Sequence, residues 1–186
     1  MPRYSWLLAA ALLGAAACGG DAAPGASAGT ADAPAVGGDD AADIAGYELT
    51  MDKMDRMYAA QRNIAVAIRD MTPAERATME STDMAEGSLD EFARGIENNP
   101  KIRQALEDAG MEPREYATAT MAMVSAAMAS SVLQSRPNDD QDSLAREMNA
   151  NMDNIRFLRD NEAELTRKQQ ALEAELRAMG ALNGAE

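Results

Sequence analysis

Between Tyr116 and Gln134 this chain runs for 19 residues without a charge, although 26% of its residues are Asp, Glu, Lys or Arg. The run is mostly Ala, Ser, Thr and Met, with Val124, Val132 and Leu133, and Pro113 with Glu115 opens it as a helix. A helix with no charged face is normally a buried one. Its length approaches the roughly 20 residues that cross a bilayer, yet Thr118, Thr120, Ser125, Ser130 and Ser131 make it a poor hydrocarbon segment. The reading is therefore a central core helix. Small residues such as Ala122 and Ala126, or Ala127 and Ser131, would let neighbours approach closely, and the hydroxyls can bond back to carbonyls one turn earlier.

The rest of the folded part is punctuated by helix caps. Thr50 is a candidate N-cap for a helix of about five turns, in which Met54, Met57, Tyr58, Ala60, Ile64, Ala65, Ile68 and Met71 recur every three or four residues. Thr72-Pro73-Ala74-Glu75 and Ser88-Leu89-Asp90-Glu91 read as capping boxes. Asn99-Pro100 opens a short helix that stops at Gly110, and Pro137 closes the uncharged one. No strand-like alternation occurs. The expectation is all-α, a compact helical bundle of about five helices.

A last long helix is expected after the acidic turn Asn138 to Asp142. That turn fails the calcium-loop pattern, with Ser143 where the sharp bend needs Gly and Asn149 where the bidentate Glu belongs, so it reads as a cap. Leu158, Leu165, Leu172 and Met179 are spaced by sevens beside Ile155 and Leu176, but Glu162 and Gln169 interrupt the seam. Packing within the chain is favoured over a dimeric zipper. Asp52 with Arg56, Asp90 with Arg94, Glu164 with Lys168 and Glu173 with Arg177 mark the solvated faces, and Gly180 should end the helix.

The chain's start has a different character. One positive charge, Arg3, precedes an uncharged stretch from Tyr4 to Ala17 that carries Trp6, Leu7, Leu8, Leu12 and Leu13. This is too short to span a membrane and fits a secretory leader. Ala15-Ala16-Ala17-Cys18 at its end resembles the lipobox of bacterial lipoproteins. The resemblance implies cleavage before Cys18 and acylation of that cysteine, hence a membrane-attached protein of the cell envelope. Gly19, in place of Asp, favours the outer membrane by the same resemblance. From Gly19 to Gly46 the composition is Gly, Ala, Asp, Ser, Thr and Pro, with Val36 and Ile44 the only large apolar residues and no basic one. Those 28 residues would average roughly 30 Å end to end as a disordered coil. The expected organisation is a signal peptide over 1–17, a lipidated and flexible tether over 18–46, and a helical domain over 47–186.

Composition removes most chemistry. There is no His, and the single Cys is Cys18. Imidazole bases, Ser-His-Asp triads, His-ligated metals and intrachain disulfides are excluded, and no thiolate site is left once Cys18 is acylated. No P-loop occurs. Of 17 basic residues the leader takes Arg3, leaving 16 against 31 acidic ones, a net charge of −15 that repels nucleic acid. Every Asp and Glu has a capping or solvating explanation, so no catalytic residue and no cofactor is assigned and the protein is read as a non-enzyme. One abundance stands out: Met occurs 14 times, and Met51, Met54 and Met57 sit three apart. They resemble the thioether segments of copper-handling proteins, which implies a Cu(I)-binding alternative; a core stripe needs the same spacing.

Two further resemblances bear on function. Leu165-Thr166-Arg167-Lys168-Gln169 is similar to the Leu-Thr-x-x-Gln motif of small helical periplasmic chaperones, echoed by Leu49-Thr50 and Met71-Thr72-Pro73. The stretch from Tyr47 to Leu165 resembles uncharacterised bacterial envelope lipoproteins, notably around Pro113-Arg114-Glu115-Tyr116 and from Asn154 to Leu165. No activity carries over. The expectation is a lipid-anchored, non-catalytic interaction module whose partners are other envelope proteins.

Overall fold

The computed structural model describes residues 38–80 and 88–181, so Cys18, the leader and the first part of the expected tether lie outside the described residues. The fold is all-α. Among the described residues nine helices occur where about five were expected: α1 (Gly38–Gly46), α2 (Met51–Arg69), α3 (Pro73–Glu80), α4 (Leu89–Glu97), α5 (Pro100–Glu107), α6 (Pro113–Ser135), α7 (Gln141–Glu147), α8 (Met152–Asp160) and α9 (Glu162–Ala178).

Local chemistry explains most boundaries. The Thr50 hydroxyl accepts from the Lys53 amide at 3.3 Å. Glu75 Oε2 accepts from the Thr72 amide at 2.7 Å while Thr72 Oγ1 accepts from the Glu75 amide, and Ser88 with Glu91 forms the same reciprocal box. Asn99 Oδ1 accepts from Lys101 and Ile102 ahead of α5, and Asp140 Oδ1 from Ser143 ahead of α7. Gly110 and Gly180 both turn with positive φ just past helix ends, as a C-terminal glycine does.

Two expectations fail. Residues 38–46, assigned to the flexible tether, are helical, and Ile44 is only 2% exposed. One apolar side chain in a polar stretch is enough when the domain offers it a cradle. The last long helix is likewise broken into α7, α8 and α9. Asn149 takes a left-handed φ of 52°, Asn151 Oδ1 caps α8 by accepting from Asp153, and Asn161 Nδ2 donates back to the Phe157 carbonyl at 2.8 Å. Asparagine side chains compete with the helical ladder for backbone partners, as at Asn151 and Asn161, and asparagine tolerates the left-handed conformation found at Asn149.

The uncharged α6 is the hub, packing against α1, α4, α5, α7 and α8. Its buried face is a row of small residues, Ala119, Ala122, Ala126 and Ala129, none more than 2% exposed, which admits neighbours from several directions. Of the small pairs expected to face neighbours, Ala122 with Ala126 is buried, whereas Ala127 is half-buried and Ser131 exposed. Thr118 and Thr120 donate to the Arg114 and Tyr116 carbonyls one turn back, as expected. It is the one described helix long and apolar enough to cross a membrane, a test that core helices also pass. The largest core cluster joins α2, α4, α5 and the start of α6 through Met54, Met57, Ile64, Ile96, Ile102, Leu106 and Tyr116. A second, of Ala126, Ala129, Leu133, Ala145 and Ile155, seats α7 and α8.

Helix α9 packs on α2 within the chain, with Leu165, Leu172 and Leu176 buried. The two helices run parallel. Lys168 pairs with Asp55 at 2.6 Å and Glu175 with Arg62 at 3.9 Å, both separated by 113 positions, so one heptad on α9 keeps step with one heptad on α2. Tyr58 adds a hydrogen bond from its hydroxyl to the Leu165 carbonyl at 3.4 Å. Three expected same-helix ion pairs form: Asp52 with Arg56, Glu164 with Lys168 and Glu173 with Arg177. The fourth is redirected: Arg94 donates to the Asp90 backbone carbonyl, and the Asp90 carboxylate goes to Arg114 instead.

Candidate functional site

The methionines singled out by spacing lie in the core. Met54 and Met57 are 1% and 0% exposed inside the main cluster, and only Met51 reaches the partly buried edge. In this conformation the three sulfurs cannot together meet a solvent ion, and helical spacing of three serves burial. Among the described residues no group of three carboxylates, thiols or imidazoles is placed to hold a metal. Likewise Leu165 of the Leu-Thr-x-x-Gln string is buried against α2, and Gln169 donates to Glu173 on its own helix.

The polar constellation that the fold assembles is elsewhere, where α1 meets α4 and α6. Helix α1 presents Asp40, Asp43 and Ile44 on one face, at the spacing of three and four that aligns side chains on a helix. Asp40 is 8% exposed, and its Oδ2 accepts from the Leu89 amide at 2.9 Å. Leu89 is the first residue of α4, so a carboxylate from α1 satisfies a free amide at the positive end of another helix, supplementing the Ser88 box. Arg114, in the first turn of α6, gathers the carboxylates around it: Asp43 at 2.8 Å, Asp40 at 3.8 Å, and Asp90 of α4. Beneath these charges Ile44 sits on Leu89, Ala117 and Ala122, with Met121 and Tyr47 packed against them.

The connection that follows α1 is held by a single buried amide. Asn154, 1% exposed on α8, accepts from the Leu49 amide at 2.8 Å and donates to the Tyr47 carbonyl at 2.7 Å. It pairs with the extended segment as a neighbouring strand would. On the outer side Tyr47 donates to Glu115 at 3.4 Å, and the Lys53 ammonium lies 4.1 Å from its ring centroid. Burial, then the Glu115 carboxylate, pushes the Tyr47 hydroxyl up to about 12, so it is a donor and never a base near neutrality. Arg56 completes the junction by pairing with Glu115 at 3.3 Å and donating to the Gly110 carbonyl at 3.0 Å.

Desolvation also raises Tyr116 to about 12 and raises Tyr58. Glu75 is held down at about 2 by Lys101 first and by its capping hydrogen bonds to Thr72 second. None of these is poised for proton transfer at neutral pH. The assembled arrangement is a helix end, one guanidinium and an apolar floor receiving an acidic helix of the same chain. Spacing reasoning missed it because Asp40, Asp43 and Ile44 stand in a Gly- and Ala-rich stretch; the available signal was Ile44 beside two Asp residues at helical intervals. Searches of protein families, curated proteins and solved structures find no match to this chain.

Proposed function

We propose that this is a lipid-anchored protein of the bacterial cell envelope that works through protein contacts and not through catalysis. The observation that carries it is Ala15-Ala16-Ala17-Cys18 at the end of a short uncharged stretch, the pattern that resembles a lipobox. Acyl chains on Cys18 would hold the chain at a membrane, the outer one by the identity of Gly19. The helical domain would be presented beyond it to other envelope proteins. A strongly acidic surface keeps such a domain off anionic headgroups and nucleic acid alike.

Mass spectrometry of the protein extracted from membranes tests the anchor: a mature N-terminus at Cys18 carrying diacylglyceryl and acyl mass is expected. Cys18→Ser should release the chain to the soluble envelope fraction. An unmodified full-length chain in the cytosol overturns the proposal. Failure to suppress aggregation of an unfolded client at stoichiometric excess separates a specific interaction module from a general chaperone.

A further inference from the structure

Helix α1 has the properties of a ligand bound to the domain that carries it. Its nine residues begin and end with Gly, and isolated helices shorter than about 12–15 residues are marginal in water. Its order must come from what it touches. It inserts one large apolar side chain, Ile44, into the floor of Leu89, Ala117 and Ala122, and offers Asp40 to the Leu89 amide and Asp43 to Arg114. Everything on the receiving side belongs to α4 and α6, which hold together by their own contacts. With α1 gone, the Leu89 amide loses its acceptor, Arg114 keeps only Asp90, and the apolar floor is uncovered.

The segment behind α1 is built so that this can happen without disturbing the core. Asn154 grips the Tyr47 carbonyl and the Leu49 amide, fixing the chain just after the helix. Gly46 lies immediately before that grip, is exposed, and has nothing within 4 Å of where a Cβ would stand. A swing at Gly46 therefore frees α1 while α2 and α8 stay in place.

We propose that the α4–α6 cradle is a receiving groove for a short acidic amphipathic helix, filled in cis by α1 and open to a partner protein's helix of the same chemistry when α1 leaves. The partner's motif is read from α1 itself: a carboxylate for the α4 amide, a second three residues on for Arg114, and a branched aliphatic next to it. Acidic character follows from the contacts the seated helix makes, since Arg114 faces Asp40 and Asp43 and the Leu89 amide, which the Ser88 box leaves over, takes the Asp40 carboxylate. The proposal rests on the interaction-module reading but not on the anchor, so its failure leaves the mass of Cys18 as a separate question.

The test uses the full chain. In deuterium exchange, α1 amides should exchange by local opening about 100-fold or more faster than those of α6, with the Leu49 amide remaining protected. Gly46→Ala, which restrains the hinge, should slow α1 about threefold, and Arg114→Ala should speed it about twofold. A blocked peptide of residues 38–46 is then titrated by fluorescence anisotropy against the chain carrying Asp40→Lys with Ile44→Asp, whose own α1 cannot seat. Binding is expected there, about tenfold weaker to the wild-type chain whose groove is filled, and lost with Ile44→Asp in the peptide. Exchange of α1 only with global unfolding overturns the proposal, as does equal or absent peptide binding to both chains. Should the double variant fail to fold, the same titration against the chain carrying Ile44→Ala, whose α1 is seated more weakly, takes its place: tighter peptide binding than to the wild-type chain is expected, and equal or absent binding overturns the proposal.

Discussion

The two ends of this bundle are held by different physics. Where α2, α5 and α6 meet, large apolar side chains such as Met57 and Leu106 are fully buried, and polar contacts such as Asn63 to the Ala105 carbonyl lie at the edge. Where α1 meets α4 and α6, one isoleucine from α1 is buried on a small apolar floor, and the polar contacts are the bond from the Leu89 amide to Asp40 and charges shared around Arg114, whose side chain is 45% exposed. The first junction depends on apolar area and is insensitive to salt; the second depends on Coulomb terms that salt screens. Equal burial of a side chain therefore does not imply equal consequence: what matters is how much of the fold must open to release it.

Leu106→Ala and Ile44→Ala make that contrast sharpest. Leu106 is locked among helices, so its truncation should cost about 3 kcal/mol of global stability in urea unfolding. Ile44 is as well buried, yet its truncation should leave the urea midpoint nearly unchanged and speed deuterium exchange in α1 alone. A matching loss of global stability in the two variants would break the comparison. Next in size is Asn154→Leu. It strands the Leu49 amide and the Tyr47 carbonyl in the interior, and about 2 kcal/mol of destabilisation is expected, with exchange rising at Leu49. If stability is kept, the clamp is dispensable.

Smaller still is Arg114→Ala, for which about 0.5 kcal/mol of docking is expected in 0.1 M NaCl and nearly none in 1 M, read from α1 exchange at both salts. An effect unchanged by salt would mean that Arg114 acts by packing its stem. The smallest effect is the pH dependence of α3. Glu75 is depressed from the ordinary 4.5 to about 2, so its contribution is complete above pH 4.5 and disappears as the pH falls through about 2. Lys101→Met should raise the Glu75 titration midpoint in carboxyl NMR part of the way toward 4.5, the Thr72 hydrogen bonds retaining the remainder. A midpoint that does not move would assign the depression to the cap alone.

How legible the fold was depends on the range of each interaction. Caps at Thr50, Thr72, Ser88 and Asn99 close within three residues, so side-chain identity at those positions decides them. The burial of Met54, Met57, Ile64, Leu165 and Leu172 follows the 3.6-residue period for the same reason. The expected continuous last helix failed because a hydrophobic period continues through Asn149, Asn151 and Asn161 while a left-handed turn at the first and side-chain bonds to the backbone at the other two interrupt the helix, which a period cannot report. The candidate site was the least legible. Asp40 reaches Leu89 across 49 positions, and Asn154 reaches Tyr47 across 107.

What the amino acids alone determined is the helical class, the cap at each early boundary, the core position of the uncharged helix, and the exclusion of imidazole chemistry. Each depends on residue type or on neighbours within one turn. Tertiary structure alone decided that the Asp-rich stretch before Tyr47 folds, that α9 runs parallel to α2, and that Arg114 draws Asp90 away from Arg94. Those outcomes turn on contacts between segments far apart in the chain, whose strength depends on burial and distance that no local pattern encodes.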